Sequence, residues 1–245
     1  MAISPERRTV TSAGRMTSAQ ADAAQIDVGL RQYMLRVYNY MTGGVALTGV
    51  IAYLAFEYNI LAQLTQVSPV LGWVVVFAPL AFVLVLSFGV QRLSPAVAQL
   101  LFWVFAAVMG LSLSTIFYQY THGSIARVFF ISAGMFAAMS LYGYTTKRDL
   151  TGIGSFLIMG LIGIILASIV NIFLGSTALG WAISIIGVLV FTGLTAYDTQ
   201  RIKNSYNAYD DASIATKKAV MGALSLYLDF INLFLMLLRL LGNQR

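Results

Sequence analysis

Seven long apolar runs dominate this sequence and determine the kind of protein that it can form. Each has roughly the 20 residues that an α-helix needs to cross a hydrocarbon core of about 30 Å. The predicted spans are Val37–Phe56, Leu71–Val90, Val97–Tyr118, Ile125–Tyr144, Ile153–Leu174, Leu179–Tyr197 and Val220–Leu241. Because the runs are continuous rather than alternating, they predict helices and exclude a membrane barrel.

The composition agrees with a membrane protein. Of 245 residues, 59% are hydrophobic and only 10% are charged, whereas roughly a quarter of the residues in soluble domains are charged. The expected fold class is therefore all-α integral membrane, a bundle of seven transmembrane helices that occupies residues 31–245. Residues 1–30 are polar and lack the apolar segment of a secretory signal, so we interpret them as a flexible cytosolic tail. The lack of cysteine and the single histidine exclude disulfides, thiolate chemistry and a multi-histidine metal site.

The basic residues predict the orientation in the membrane. If the N-terminus lies inside, twelve of the 15 Lys and Arg residues fall in cytoplasmic segments and three fall outside. This asymmetry follows the positive-inside rule, so a multi-pass protein with a cytoplasmic N-terminus is expected. The net charge of +6 has the same explanation, and it is not accompanied by a nucleic-acid-binding motif. A nucleic-acid partner is therefore not expected.

Two carboxylates interrupt the apolar spans. Asp229 lies deep in the last span, in "SLYLDFINLFLMLL", and Asp198 follows the end of the sixth, in "TAYDTQRIK". The other seven of the nine acidic residues lie in tails or loops, where they are most simply solvated. A charged group inside a membrane span is costly, so its presence points to a function.

The two carboxylates can meet if the sixth helix continues past Asp198, because the sixth and seventh helices follow each other and run antiparallel. In a low-dielectric environment both groups cannot comfortably ionise, so one keeps a proton that the pair shares. Such a pair would act as a proton-controlled latch, and its oxygens would suit a hard cation such as Ca²⁺. A simpler alternative for Asp198 is an ion pair with Arg201, one helical turn further on.

Arg92 follows the second span, in "SFGVQRLSPA". A basic residue at a predicted cytoplasmic end can be a simple anchor of the topology. The functional alternative is a counter-charge that moves toward the deprotonated aspartate pair. The residues alone leave both interpretations open.

Three segments together carry a family resemblance. They are "RLSPAVAQLLFWVFAAVMGLSLSTIF" (Arg92–Phe117), "GLTAYDTQRIK" (Gly193–Lys203) and "ALSLYLDFINLFLMLLRLLG" (Ala223–Gly242). These segments closely resemble the Bax inhibitor-1 family in a bacterial form, and the resemblance extends over residues 30–242. It implies six helices around a central seventh, in the bacterial inner membrane.

The resemblance also implies a function, namely a pH-sensitive Ca²⁺ leak. Asp198 and Asp229 match the family's paired aspartates, which act as pH sensor and ion gate and are possible calcium ligands, and Arg92 matches the arginine that engages the pair. The implied partners are membrane lipid, protons and Ca²⁺, with Ca²⁺ as the transported ion and no other cofactor. One departure is that the second span, Leu71–Val90, lacks the acidic residue that some family members place on the ion path.

Two other functions remain open from the sequence. Some bacterial relatives interact with a membrane-bound ATP-dependent protease, so the chain could be a non-conducting regulator of such a protease or of another quality-control partner, with residues 1–30 as its contact. A proton-coupled transporter is disfavoured because the sequence shows no internal repeat. An enzyme is not expected, since the Ser, His and acidic residues do not form a triad-like grouping within the spans.

Overall fold

A computed structural model describes residues 18–245, with side chains from residue 26 onward. In this part of the chain the regular structure is helical, with one isolated β-bridge. The helices are α1 (Ser18–Glu57), α2 (Ile60–Val67), α3 (Pro69–Gly89), α4 (Pro95–Leu113), α5 (Ile116–Gln119), α6 (His122–Thr145), α7 (Thr151–Leu174), α8 (Thr177–Asn204) and α9 (Ala212–Leu241).

The prediction of seven membrane-spanning helices is confirmed. Seven segments are long and apolar enough to cross a membrane, and α4 and α5 together form one of them. These are Ile26–Glu57, Pro69–Gly89, Pro95–Gln119, His122–Thr145, Thr151–Leu174, Thr177–Asn204 and Ala212–Leu241. The all-α membrane bundle expected from the apolar runs is therefore the observed architecture.

Local signals in the sequence determine where several helices begin and end. Ser94 precedes Pro95, and its hydroxyl accepts a hydrogen bond from the first turn of α4. The carboxylate of Asp211 caps α9 in the same way, accepting from the backbone N–H of Ile214 at 2.7 Å. At the C-terminal end of α7, Gly175 adopts a left-handed conformation with φ of 61°, which a residue without a side chain accepts at low cost.

The helices extend beyond the predicted apolar spans. The first helix begins at Ser18, well before Val37, and it therefore runs through part of the segment predicted as a tail. Residues 1–17 of that tail lie outside the described residues, and the boundary between tail and membrane domain at residue 30 stays a prediction. The last helix likewise begins at Ala212 rather than Val220. Hydropathy indicates where a helix can cross a membrane, whereas caps and turn residues determine where the helix ends.

The short helix α2 was not predicted. It fills the connection between α1 and α3 with eight residues, "ILAQLTQV", and none of them is buried. A helix of this length is too short to cross a membrane, so the pattern of long apolar runs does not predict it.

The last helix lies at the centre of the bundle. In the apolar 18-residue stretch of this helix 67% of the residues are buried, against at most 39% in the corresponding stretch of any other span. It packs against α1, α4, α6 and α8. By contrast, only 6% of the residues in the apolar stretch of α7 are buried, so this helix presents most of its side chains outward. The central seventh helix implied by the family resemblance is thus confirmed.

Tyr227 connects this central helix to two of its neighbours. Its side chain is fully buried, and its ring packs edge-on against Phe102 and Phe105 of α4. The Thr48 hydroxyl donates to the Ala106 carbonyl oxygen at 2.7 Å and lies 2.6 Å from the Tyr227 hydroxyl. Because a threonine hydroxyl has one proton to donate, the tyrosine must donate to Thr48. This chain of hydrogen bonds joins α9, α1 and α4 in the core.

The residues after α9 are attached to the start of α6. Gln244 forms an antiparallel β-bridge with Tyr120, and the backbone N–H of Thr121 donates to the Asn243 carbonyl oxygen at 3.1 Å. Gly242 makes this approach possible, because a Cβ there would lie 2.7 Å from the Tyr120 ring. Since α9 is one continuous helix from Ala212 to Leu241, it crosses the whole bundle before reaching this attachment.

Candidate functional site

Asp198 and Asp229 are both buried and lie on adjoining helices. Their exposed fractions are 9% and 5%, on α8 and α9 respectively. Gly222 of α9 packs against Ile202 of α8, and further along the same interface Gly187 of α8 packs against α9. This antiparallel register places Asp198 opposite the turn of α9 that precedes Asp229. The two carboxylates therefore lie close enough for their charges to interact.

The two carboxylates can approach each other only if the sixth membrane helix continues past Asp198, and the structure shows that it does. Helix α8 does not end at the sixth apolar run but continues through Asp198 to Asn204. The last turn of α8 carries Arg201 and Lys203, basic residues that interact favourably with the negative end of a helix dipole. The polar end of α8 thus stays helical and holds Asp198 against α9.

Arg201 is the cation beside the pair. Its guanidinium nitrogen Nη2 lies 3.1 Å from Asp198 Oδ1, so the alternative ion pair proposed for Asp198 is confirmed. The same nitrogen donates to the Ser225 hydroxyl at 3.2 Å. Ser225 lies one helical turn before Asp229, on the same face of α9. One guanidinium group therefore bridges the two helices next to both carboxylates.

The burial of the two acids is not symmetrical. The Asp198 side chain keeps 12% of its surface exposed and pairs with an arginine that is about half exposed. Asp229 lies deeper, and its Oδ2 is buried without a hydrogen-bond partner among the described residues. Burial of an ionised carboxylate oxygen without a hydrogen-bond donor is energetically unfavourable. A proton shared between the two carboxyl groups would supply the missing donor, because a protonated carboxyl group can donate a hydrogen bond.

Arg92 forms no ion pair with either aspartate. It occupies the connection between α3 and α4, its side chain is exposed, and its backbone N–H donates to the Gly89 carbonyl oxygen at 2.9 Å. The two ion pairs found within residues 26–245 involve Arg201 and Lys218 rather than Arg92. The structure places Asp198 and Asp229 on adjoining helices, and the role of Arg92 as counter-charge stays a prediction.

Two neighbours of Asp198 are structurally important, although the sequence did not single them out. The Thr199 hydroxyl lies 3.0 Å from that of Ser140 on α6, and Ser140 in turn lies 2.5 Å from the Tyr38 hydroxyl on α1. The Gln200 side chain accepts from the Leu150 backbone N–H at 2.8 Å and donates to the Arg148 carbonyl oxygen at 2.7 Å.

The motif "YDTQ" therefore fastens α8 on several sides, and Asp198 is only one of its contacts. The signal that could have identified Thr199 and Gln200 is their polarity at the end of an apolar span. Their partners lie on α6 and in the connection before α7, far away in sequence.

The oxygen atoms at the pair would not by themselves complete a calcium site. Ca²⁺ takes six to eight oxygen ligands, and within the described part of the chain there is no cluster of three or more His, Cys, Asp or Glu side chains. The two aspartates could contribute part of a coordination shell, with carbonyl or water oxygens supplying the rest. The sequence of α3 adds no carboxylate.

Comparisons with known proteins identify the family of the chain. A family model described as "Inhibitor of apoptosis-promoting Bax1" matches residues 30–245. The Inner membrane protein YbhL of Escherichia coli is 53% identical over 219 residues, covering 89% of this chain and 94% of that protein. The Rickettsia prowazekii protein RP147 is 50% identical over 219 residues, with 89% and 92% covered. A Caulobacter vibrioides protein is 45% identical over 245 residues, with 95% and 97% covered.

The match of the family model covers every membrane-spanning helix except the first residues of the first span. The relatives match along nearly the whole of their own length, so the likeness is one of whole proteins and not of an isolated segment. The chain belongs to the Bax inhibitor-1 family of membrane proteins.

Proposed function

We propose that the chain is a pH-sensitive calcium leak channel in which Asp198 and Asp229 are the pH sensor and the gate. The observation that carries this proposal is a pair of buried carboxylates on adjoining helices, with Arg201 as the cation in contact. A buried pair of this kind is expensive to keep ionised. Its protonation therefore changes the force between the central helix and α8.

In the closed state the two carboxyl groups share a proton, which holds α8 against α9. Loss of the proton replaces a short hydrogen bond by repulsion between like charges. The charged groups that act on Asp229 are Asp198 and Arg201, and the single guanidinium cannot neutralise two carboxylates. Deprotonation should therefore separate the helices and favour the open form, so the leak should increase as the pH rises.

Calcium is the proposed cargo because the deprotonated site offers hard oxygen ligands. In the open form the two carboxylates would replace part of the hydration shell of a passing ion, and water or backbone oxygens would supply the remainder. A weak and incomplete site suits conduction, since an ion must be able to leave it.

The location of the protein is proposed from its relative and from its charges. YbhL is named as an inner membrane protein, and we place this chain in the same bacterial membrane. The excess of Lys and Arg on one side of the spans supports a cytoplasmic N-terminus.

The proposal is tested by reconstituting the purified protein in liposomes that contain a calcium-sensitive dye. Calcium influx should be low at about pH 5 and should increase several-fold toward about pH 8, following deprotonation of the pair. Protein-free liposomes provide the control for passive leak. Folded protein that gives no calcium flux at any pH would contradict the channel proposal.

A non-conducting regulator is the second candidate. The observation that favours it is α3, whose sequence contains no acidic residue, although some family members carry one on the ion path. We propose that such a regulator would bind a membrane-bound ATP-dependent protease or another quality-control partner through residues 1–30. Loss of a co-purifying protease on deletion of these residues, together with absent flux, would support this candidate. Neither candidate involves catalysis.

Variants of Arg201 and Arg92 distinguish which of the two arginines acts as the counter-charge of the aspartate pair. Arg201→Gln should shift the pH midpoint of the flux to higher pH, because the ionised pair loses the cation that stabilises it. Arg92→Ala should increase the leak at neutral pH if Arg92 engages the pair in the closed state. An unchanged leak in Arg92→Ala, measured beside a shifted Arg201→Gln, would leave Arg92 as a topological anchor.

A further inference from the structure

A cleft of about 730 Å³ opens between α1 and α6. Both helices pack on α9, and the hydrogen bond between the Tyr38 and Ser140 hydroxyl groups joins them within the cleft. Phe230 of α9 contributes to its lining. The volume lies within the range of roughly 300–1,000 Å³ that is usual for ligand sites.

The walls of the cleft are mainly apolar and lie within two membrane spans. On α1 the lining residues recur every three or four positions between Met34 and Ala46, and on α6 they do so between Phe129 and Tyr144. This spacing means that each helix presents one continuous face to the cleft. Small side chains, among them Ala133 and Ala137, leave the space open.

One end of the cleft is positively charged. Arg31 lines this end, its side chain is exposed, and no carboxylate lies within ion-pairing distance of it among the described residues. At the same end the Lys203 ammonium nitrogen lies 5.2 Å from the centre of the Tyr144 ring. An apolar cleft with a cationic mouth has the charge and polarity that complement an anionic amphiphile.

The dimensions fit a lipid tail. From Arg31 to Ala46 the helix rises about 22 Å, at 1.5 Å per residue. Half of a hydrocarbon core of about 30 Å is about 15 Å, which is the depth that one acyl chain reaches from the headgroup region. The cleft is therefore long enough for one acyl chain, with Arg31 at the level of the phosphate.

We propose that this cleft is a binding site for an anionic phospholipid, with an acyl chain between α1 and α6 and the phosphate on Arg31. The guanidinium group binds phosphate with paired hydrogen bonds. The acyl chain of the lipid covers apolar surface of α1 and α6 that would otherwise be unpacked.

The test uses delipidated full-length protein in detergent and dioleoylphosphatidylglycerol as the probe, with bound lipid counted by native mass spectrometry. Wild-type protein should retain one such lipid in preference to the zwitterionic dioleoylphosphatidylcholine. Arg31→Gln should weaken retention about fivefold, as expected for one basic residue at a membrane surface. Arg36→Gln is the matched control, because Arg36 is exposed on α1 but does not line the cleft.

A second pair of variants tests the tail site independently. Ala137→Trp should fill the cleft and abolish retention of the lipid, whereas Ala138→Trp, exposed on the next position of α6 and outside the cleft, should not. If Ala137→Trp fails to fold, the two arginine variants alone decide. Equal lipid retention in Arg31→Gln and Arg36→Gln would overturn the proposal. Loss of a protein dimer in Ala137→Trp with unchanged lipid binding would also overturn it, in favour of a second copy in the cleft.

Discussion

Asp229→Asn is expected to abolish the pH dependence of calcium flux and to keep the flux low at every pH. The asparagine amide is neutral, has nearly the same shape as the protonated carboxyl group, and can donate a hydrogen bond to Asp198. It therefore imitates the closed state permanently. The measurement is calcium influx into proteoliposomes from about pH 5 to about pH 8, the range in which the wild-type pair is expected to titrate.

Asp149 provides the matched control. Hydrogen bonds from the side chain and backbone N–H of Thr151 lower the pKa of Asp149 below its ordinary value of 3.8. This carboxylate is therefore ionised throughout the experiment, and Asp149→Asn removes a charge that does not titrate in that range. The calcium flux of Asp149→Asn should depend on pH in the same way as that of the wild type. A pH response that survives unchanged in both Asp198→Asn and Asp229→Asn would show that the pair is not the sensor.

Gly143→Ala is expected to cause the largest loss of stability of any conservative substitution in the bundle. A Cβ at this position would lie 2.2 Å from the carbonyl oxygen of Ala196 and 2.9 Å from its Cα. These are backbone atoms, so α6 and α8 would have to move apart as whole helices. Overpacking of this kind typically costs about 1–3 kcal/mol, occasionally more. The midpoint of thermal unfolding in detergent should fall accordingly.

The control for this prediction lies in the same helix. A Cβ on Gly134 would meet no atom within 4 Å, and alanine is the better helix former by roughly 1 kcal/mol. Gly134→Ala should therefore leave the unfolding midpoint unchanged or raise it. If Gly143→Ala and Gly134→Ala unfold at the same temperature, the close approach of α6 and α8 is not important for stability. Because α8 carries Asp198, Gly143→Ala should also disturb the calcium response.

The sequence predicts those parts of the fold that depend on one residue's neighbours along the chain. A run of about 20 apolar residues has only the helix available to it in a membrane, so the seven spans could be recognised individually. The placement of Asp198 and Asp229 on adjoining helices could be predicted because α8 and α9 are antiparallel and follow each other in the chain. The ion pair with Arg201 followed from a spacing of three residues.

The remaining contacts depend on how helices distant in sequence are rotated against each other. The bond between Thr48 and Tyr227 links the first and last spans. In the sequence each of these residues is an ordinary polar or aromatic residue in an apolar run. The cleft between α1 and α6 is hidden for the same reason, because Ala137 in a membrane helix usually indicates close packing rather than open space.

The central position of α9 also has a consequence for biosynthesis. The ribosome produces this helix after the six spans that surround it, so those spans enter the membrane before their common core exists. Until α9 is released, they lack the Tyr227 hydroxyl that donates to Thr48 and the helix that covers the inner faces of α4, α6 and α8. Assembly of the bundle around its core must therefore wait until α9 has been synthesised. A ribosome stalled before Ala212 should leave an inserted but uncompacted chain that is open to degradation.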